Sequence, residues 1–133
     1  MNVNSKTVVR KDRKVILSTL WIFALLNYIY ADIFTLFFNT EAQTETMTAG
    51  AVVGFAFLME TAIAMVLLSR ILKYEANRWA NIVAGVIHTA LVSWSLSVGT
   101  SPAFYIFFAA IEILCTLFIV WYAWNWKPVV EPI

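Results

Sequence analysis

Four long apolar runs, at about residues 15–38, 49–69, 79–98 and 103–126, take up most of this 133-residue chain. Each is long enough to cross a hydrocarbon core, which takes ~20 residues of α-helix. Within lipid the backbone polar groups must be bonded internally, and a helix does this inside each run. The sequence therefore predicts an all-α integral membrane protein: a four-helix bundle, up-down-up-down, forming a single transmembrane domain over residues 1–133. Composition agrees. Hydrophobic residues make up 62% and charged residues 13%, against roughly 45–50% and ~25% in soluble domains. Too little polar sequence remains for a separate soluble domain.

The run from Val15 to Phe38 follows the basic stretch Arg10-Lys11-Asp12-Arg13-Lys14, as a signal peptide would. It is too long for the apolar part of such a peptide, and no small-residue cleavage motif closes it. It is read as a retained first span. Of the nine Lys and Arg residues, five precede span one, three (Arg70, Lys73, Arg78) lie between spans two and three, and Lys127 follows span four. The other two loops carry none. Basic residues stay on the cytoplasmic side, so both termini and the middle loop are expected there. Trp79, Trp121, Trp124 and Trp126 fall near the same boundary, where indoles serve as interface anchors. The N-terminal basic residues are expected to orient the chain and touch anionic lipid heads. Nothing points to nucleic acid.

One ionisable residue stands well inside each run: Asp32, Glu60, His88 and Glu112. A charge at the centre of a bilayer costs roughly 2.5–3.5 kcal/mol on insertion scales, so such groups are expected to face the bundle interior. At ~1.5 Å per residue, His88 and Glu112 lie roughly 14–15 Å below the outer ends of their spans, Glu60 roughly 16 Å and Asp32 roughly 9 Å. Successive helical residues turn by about 100°. On that geometry Asp32 shares a face with Tyr28, Leu25, Trp21 and Ser18. His88 aligns with Asn81, Gly85, Val92 and Ser95, and Glu112 with Tyr105, Thr116 and Ile119. Glu60 stands among Val53, Ala56, Ala64 and Leu67. A buried polar pocket lined by Asp32, Glu60, His88 and Glu112 is therefore expected, with Tyr28, Tyr105, Asn81 and Thr116 beside them. Each group also has a plainer reading. Asp32 can reach outward to the interface with Tyr28, and His88, Glu60 and Glu112 can be neutral groups that tie helices together.

Asn27 points about 140° away from Asp32, either toward a neighbouring helix or toward a second subunit. Gly50 and Gly54 have a G-x-x-x-G spacing, which serves close packing within the chain or a homodimer contact. Cys115, the single cysteine, is read as a small apolar filler. There is no H-E-x-x-H, C-x-x-C, Walker loop or G-x-G-x-x-G, and no pattern names a cofactor. Bundled di-iron sites use Glu-x-x-His pairs, but Ile63 follows Glu60 and Cys115 follows Glu112 at that spacing. Should a metal bind, Glu60, His88 and Glu112 are the ligand set, since carboxylate and imidazole suit Mn, Fe or Zn.

Leu17-Ser18-Thr19-Leu20-Trp21-Ile22-Phe23, Tyr30-Ala31-Asp32, Leu58-Met59-Glu60, Ala64-Met65-Val66-Leu67-Leu68-Ser69-Arg70, Ala76-Asn77-Arg78-Trp79-Ala80-Asn81, Ile111-Glu112-Ile113 and Trp121-Tyr122-Ala123-Trp124 span the chain. In these stretches it resembles a group of small bacterial four-span membrane proteins, loosely grouped with DoxX-like proteins. The resemblance implies an up-down helical bundle in a bacterial inner (plasma) membrane and an association with quinone or respiratory chemistry. It implies no particular reaction. Small multidrug exporters look similar in size, but their essential glutamate lies in the first span, where this chain has Asp32 near the outer end.

Three functions stand against one another. The pocket holds a cation, a proton or a small ligand, with transport as its purpose. Alternatively, the chain is a membrane enzyme acting on an isoprenoid, sterol-like compound or quinone by carboxyl and imidazole acid–base chemistry. The third reading is an accessory subunit of a membrane complex.

Overall fold

A computed structural model describes residues 13–38, 49–97 and 102–127, which are helical apart from short turns. The helices are α1 (Arg13–Phe38), α2 (Ala49–Ile71), α3 (Tyr74–Ser97) and α4 (Ala103–Trp124). All four are long and apolar enough to span a membrane, α2 from Val52 onward. Lys6, Arg10, Lys11, Glu41, Glu45 and the turn at Gly99-Thr100-Ser101 lie outside the described residues. The stretch expected as a loop at 70–78 is mostly helix, and only Leu72 and Lys73 interrupt it. It is polar but holds neither Gly nor Pro, and polar side chains at a membrane boundary do not break a helix. Leu72 N–H donates to the Leu68 carbonyl at 2.9 Å and Asn77 N–H to that of Lys73 at 2.8 Å, so helical bonding reaches the turn from both sides.

The helices form a ring. α1 packs on α2 and α4, α3 packs closely on α4, and α2 and α3 touch over a shorter stretch. Packing on lipid rather than water turns the usual pattern inside out. Phe57, Phe107 and Leu114 are exposed on the outside, while Ser18, Ser69, Asn77, Asn81 and Thr116 are fully buried. Polar groups in a bilayer gain from neighbouring helices what lipid cannot offer.

The α3–α4 contact depends on Gly85. A Cβ there would stand 2.6 Å from Val120 Cγ2 and 3.2 Å from the Thr116 carbonyl. One turn on, Thr89 Oγ1 and Thr116 Oγ1 meet at 2.6 Å. Gly50 and Gly54 meet nothing within 4 Å of such a Cβ, so the close packing within the chain expected of them is absent. Asn27 does not reach another helix either: its amide donates to the Phe23 carbonyl of its own helix at 2.9 Å.

One end of the bundle is held by two networks. Trp21 Nε1 donates to Asn81 Oδ1 at 2.8 Å, and Ser69 Oγ reaches the same oxygen at 3.2 Å. Asn81 Nδ2 donates to Asn77 Oδ1 at 2.7 Å, and Asn77 Nδ2 to the Ser69 carbonyl at 2.7 Å. Ser18 Oγ bonds the Val66 carbonyl at 2.8 Å and accepts from Arg70 Nε at 3.2 Å. The second network closes the C-terminal end of α4, where the last four carbonyls lack helical partners. Arg13 donates to the Tyr122 carbonyl at 2.9 Å and Arg78 to that of Trp124 at 3.1 Å. Trp121 accepts from the Asn125 backbone N–H at 3.0 Å and Ala123 from that of Trp126 at 3.1 Å. Cations at a helix C-terminus also match its dipole. Arg13 and Arg78, read in the sequence as orientation signals, thus have a structural task as well.

Candidate functional site

Midway along the bundle His88 is 1% exposed, and both of its ring nitrogens are engaged. Tyr28 Oη lies 2.9 Å from Nδ1, and Thr61 Oγ1 lies 3.0 Å from Nε2. Thr61 Oγ1 is also 2.6 Å from the Leu58 carbonyl, which only accepts. These partners fix the direction of every proton. The buried Tyr28 hydroxyl has His88 Nδ1 as its acceptor among the described residues, so it donates there. A neutral imidazole that accepts at Nδ1 carries its proton on Nε2. That N–H then donates to Thr61 Oγ1, whose own proton goes to Leu58. The result is a single file of donors, Tyr28 to His88 to Thr61 to Leu58, with no buried proton unmatched. The edge of Trp21 packs on the imidazole at 5.2 Å between ring centroids and fixes its plane.

Glu112 is 5% exposed, and its Oε1 is buried without a hydrogen-bond partner among the described residues. Its carboxyl acts electrostatically on Tyr28 and interacts with Asp32. Native proteins leave few buried polar atoms unpaired, and this one lies among titratable neighbours. Cys115, also buried, donates its thiol to the Leu20 carbonyl at 3.3 Å and fills space as expected.

Thr61 and His88 also line a groove of about 370 Å³ between α2 and α3, where those helices separate. Gly54, Phe57 and Leu68 wall it from α2, and Ala84, Ile87 and Leu91 from α3. No other lining side chain carries an N–H or O–H group. Phe57, Ile87 and Leu91 are exposed on the outside of the bundle, so the groove opens sideways toward lipid.

Of the residues singled out in the sequence, the structure brings together His88, Tyr28 and Glu112. Asp32, one turn beyond Tyr28, is exposed rather than buried with them, though its carboxyl acts electrostatically on that of Glu112. The buried stripe of α1 runs Leu17, Trp21, Ala24, Tyr28, Ala31, an alternation of three and four residues. A seam of that period drifts off the straight 3.6-residue row, and Ala31 takes the place foreseen for Asp32. Glu60 requires a correction: it is exposed. α2 buries Ala62, Met65 and Ser69, and a residue two positions from Ala62 points about 160° away from it. The proposed metal set of Glu60, His88 and Glu112 falls with it, since no three His, Cys, Asp or Glu among the described residues could hold an ion. Asn81 is buried in the separate Trp21 network. Tyr105 bonds Ser95 at 3.1 Å, and Thr116 pins α3 to α4. Thr61 carries no ionisable group, so a search of the spans for buried charge passes over it. Its hydroxyl was nevertheless the one polar side chain on the α2 row Gly54, Phe57, Thr61, Ala64, Leu68.

The fold and the site define a multi-pass, four-helix membrane protein with a buried histidine–carboxyl cluster beside a lipid-facing groove. By sequence the chain belongs to a family of unknown function, DUF6326, which it matches over residues 7–130. No curated protein and no solved structure matches it. Nothing in these comparisons ties it to the DoxX-like proteins in particular.

Proposed function

We propose that this protein binds a small, mostly apolar ligand in the α2–α3 groove and engages the ligand's polar end at Thr61 and His88. The observation that carries this reading is the junction itself. A carbon-walled groove meets, at its two polar side chains, a hydrogen-bonded file that leads into the bundle interior. Pockets that hold apolar ligands commonly combine such walls with a few fixed polar groups. Holding an inorganic cation is the weaker reading, because both imidazole nitrogens have partners and Glu60 faces outward.

In this reading the bundle is up-down-up-down in a bacterial inner membrane, with both termini cytoplasmic. The gathering of Arg13, Arg70 and Arg78 against Tyr122, Ser18 and Trp124 supports a common basic end. A second reading, that the site moves a proton to or from its ligand as an enzyme or a coupled transporter, draws on Glu112. Its Oε1 is buried without a partner among the described residues, and its carboxyl acts electrostatically on Tyr28, the first donor of the file.

The test is native mass spectrometry of the protein released gently from its own membrane. Wild type is expected to retain an apolar small molecule, and Gly54→Leu, which fills the groove, is expected to lose it. Gly54 meets nothing within 4 Å of an added Cβ, so the first atom of the new side chain displaces no neighbour. Retention of the same molecule by Gly54→Leu would sink the proposal, as would an empty wild-type protein that takes up no apolar compound when challenged.

A further inference from the structure

The protons at the groove are all committed inward. His88 Nε2–H points to Thr61 Oγ1, and the Thr61 proton points to the Leu58 carbonyl. A hydroxyl oxygen has one donor and two acceptor lone pairs. Thr61 Oγ1 uses its donor on Leu58 and one lone pair on His88, which leaves the second lone pair unfilled. The groove therefore offers an incoming molecule an acceptor and no free side-chain donor.

From this polarity we infer that the groove selects apolar molecules ending in a hydrogen-bond donor: long-chain or isoprenoid alcohols, in preference to aldehydes, ketones or quinones of the same skeleton. The inference rests on the groove being a ligand site and adds the chemistry of the ligand's head. A carbonyl has only lone pairs to present. To be bonded it would have to draw the Nε2–H away from Thr61 or the Thr61 proton away from Leu58, and either move breaks a bond that the file already makes. An alcohol donates to Thr61 and leaves the file intact. About 370 Å³ holds roughly a dozen heavy atoms at ~30 Å³ each, enough for the head and most of the chain of such an alcohol, with the remainder in lipid. Entry from the side keeps the apolar tail in lipid throughout.

The experiment is a competition series on the full chain in lipid nanodiscs: labelled farnesol displaced by farnesol, by its aldehyde farnesal and by the hydrocarbon farnesene. One net hydrogen bond corresponds to roughly a three- to tenfold advantage. Farnesol is expected to bind saturably and to outcompete the other two by that factor. Thr61→Val keeps the shape, removes the acceptor and frees the His88 Nε2–H, so it is expected to abolish the advantage of farnesol over farnesal. Equal displacement by all three in wild type would overturn the donor rule while leaving the groove as an apolar site. Preference for farnesal would overturn it in the opposite sense. If none of the three binds saturably, the groove reading and the donor rule fall together. A farnesol preference that survives Thr61→Val would show that the acceptor lies elsewhere and would also overturn the assignment.

Discussion

Trp21 and Asn81 meet through a 2.8 Å hydrogen bond between helices α1 and α3, sixty residues apart in the chain. Asn81 Oδ1 serves Ser69 at the same time, and Asn81 Nδ2 serves Asn77. Removing Asn81 thus strips partners from three buried groups, whereas Ser69→Ala removes one donor and leaves the other bonds of Asn81 in place. Asn81→Ala is expected to destabilise the folded bundle by about 1–3 kcal/mol. Ser69→Ala is expected to cost about 1 kcal/mol or less, within the range of hydrogen bonds between membrane helices. Denaturation in mixed micelles measures both. Equal losses from the two changes would refute a shared node at Asn81.

The glycines give the opposite kind of contrast. At Gly85 an added methyl collides with Val120 and the Thr116 backbone, so Gly85→Ala must push α3 from α4. Overpacking of this sort typically costs about 1–3 kcal/mol. Gly54→Ala meets open space and is expected to be neutral or to stabilise by up to about 1 kcal/mol through helix propensity. Thermal unfolding in detergent separates the two, and a destabilised Gly54→Ala would mean that this face of α2 is packed in the membrane.

Much of this fold was legible because the bilayer restricts the options. Runs such as Val15 to Phe38 have to be helices, and the polar residues of α3 and α4 fall on one face at helical spacing. His88 and Glu112 follow from that spacing. The faces of α1 and α2 were harder to read. In α1 a straight 3.6-residue row carried Asp32 inward, while the real seam alternates by three and four and ends on Ala31. In α2 apolar residues surround the helix on all sides, so the sequence points to Glu60 as the inner face, whereas the Ala62–Met65–Ser69 row forms it. Thr61 acquires its meaning only beside His88, and no spacing within α2 announces a partner on α3. The boundary near residue 74 was obscured because polarity resembles a loop in sequence while the backbone remains helical.

Glu60 in its observed place carries a consequence for insertion. It is exposed on α2, eleven residues from either end of that helix, too deep for its short side chain to reach water. Glu60→Leu is expected to make insertion of the segment more favourable by about 3 kcal/mol. It is also expected to leave binding in the groove unchanged, because Glu60 is absent from the groove lining. A glycosylation-based insertion assay reads the first quantity and ligand competition the second. Loss of binding in Glu60→Leu would contradict the placement of this carboxyl.

The direction of the proton file can be observed without any ligand. Both readings of the site depend on His88 carrying its proton on Nε2 with Nδ1 accepting from Tyr28. Nitrogen NMR on protein labelled at histidine has a single target, since His88 is the only histidine. Nδ1 is expected to appear as an unprotonated, acceptor-type nitrogen and Nε2 as a protonated one. Tyr28→Phe removes the donor that holds Nδ1 as an acceptor, so the ring becomes free to exchange tautomers and the two nitrogen signals move toward each other. Thr61→Val removes the acceptor for Nε2–H but leaves the bond from Tyr28, and the tautomer is expected to persist. A wild-type ring protonated on Nδ1 would reverse the file. The Tyr28 proton would then need another acceptor, and the Oε1 of Glu112, buried without a partner among the described residues, is one candidate.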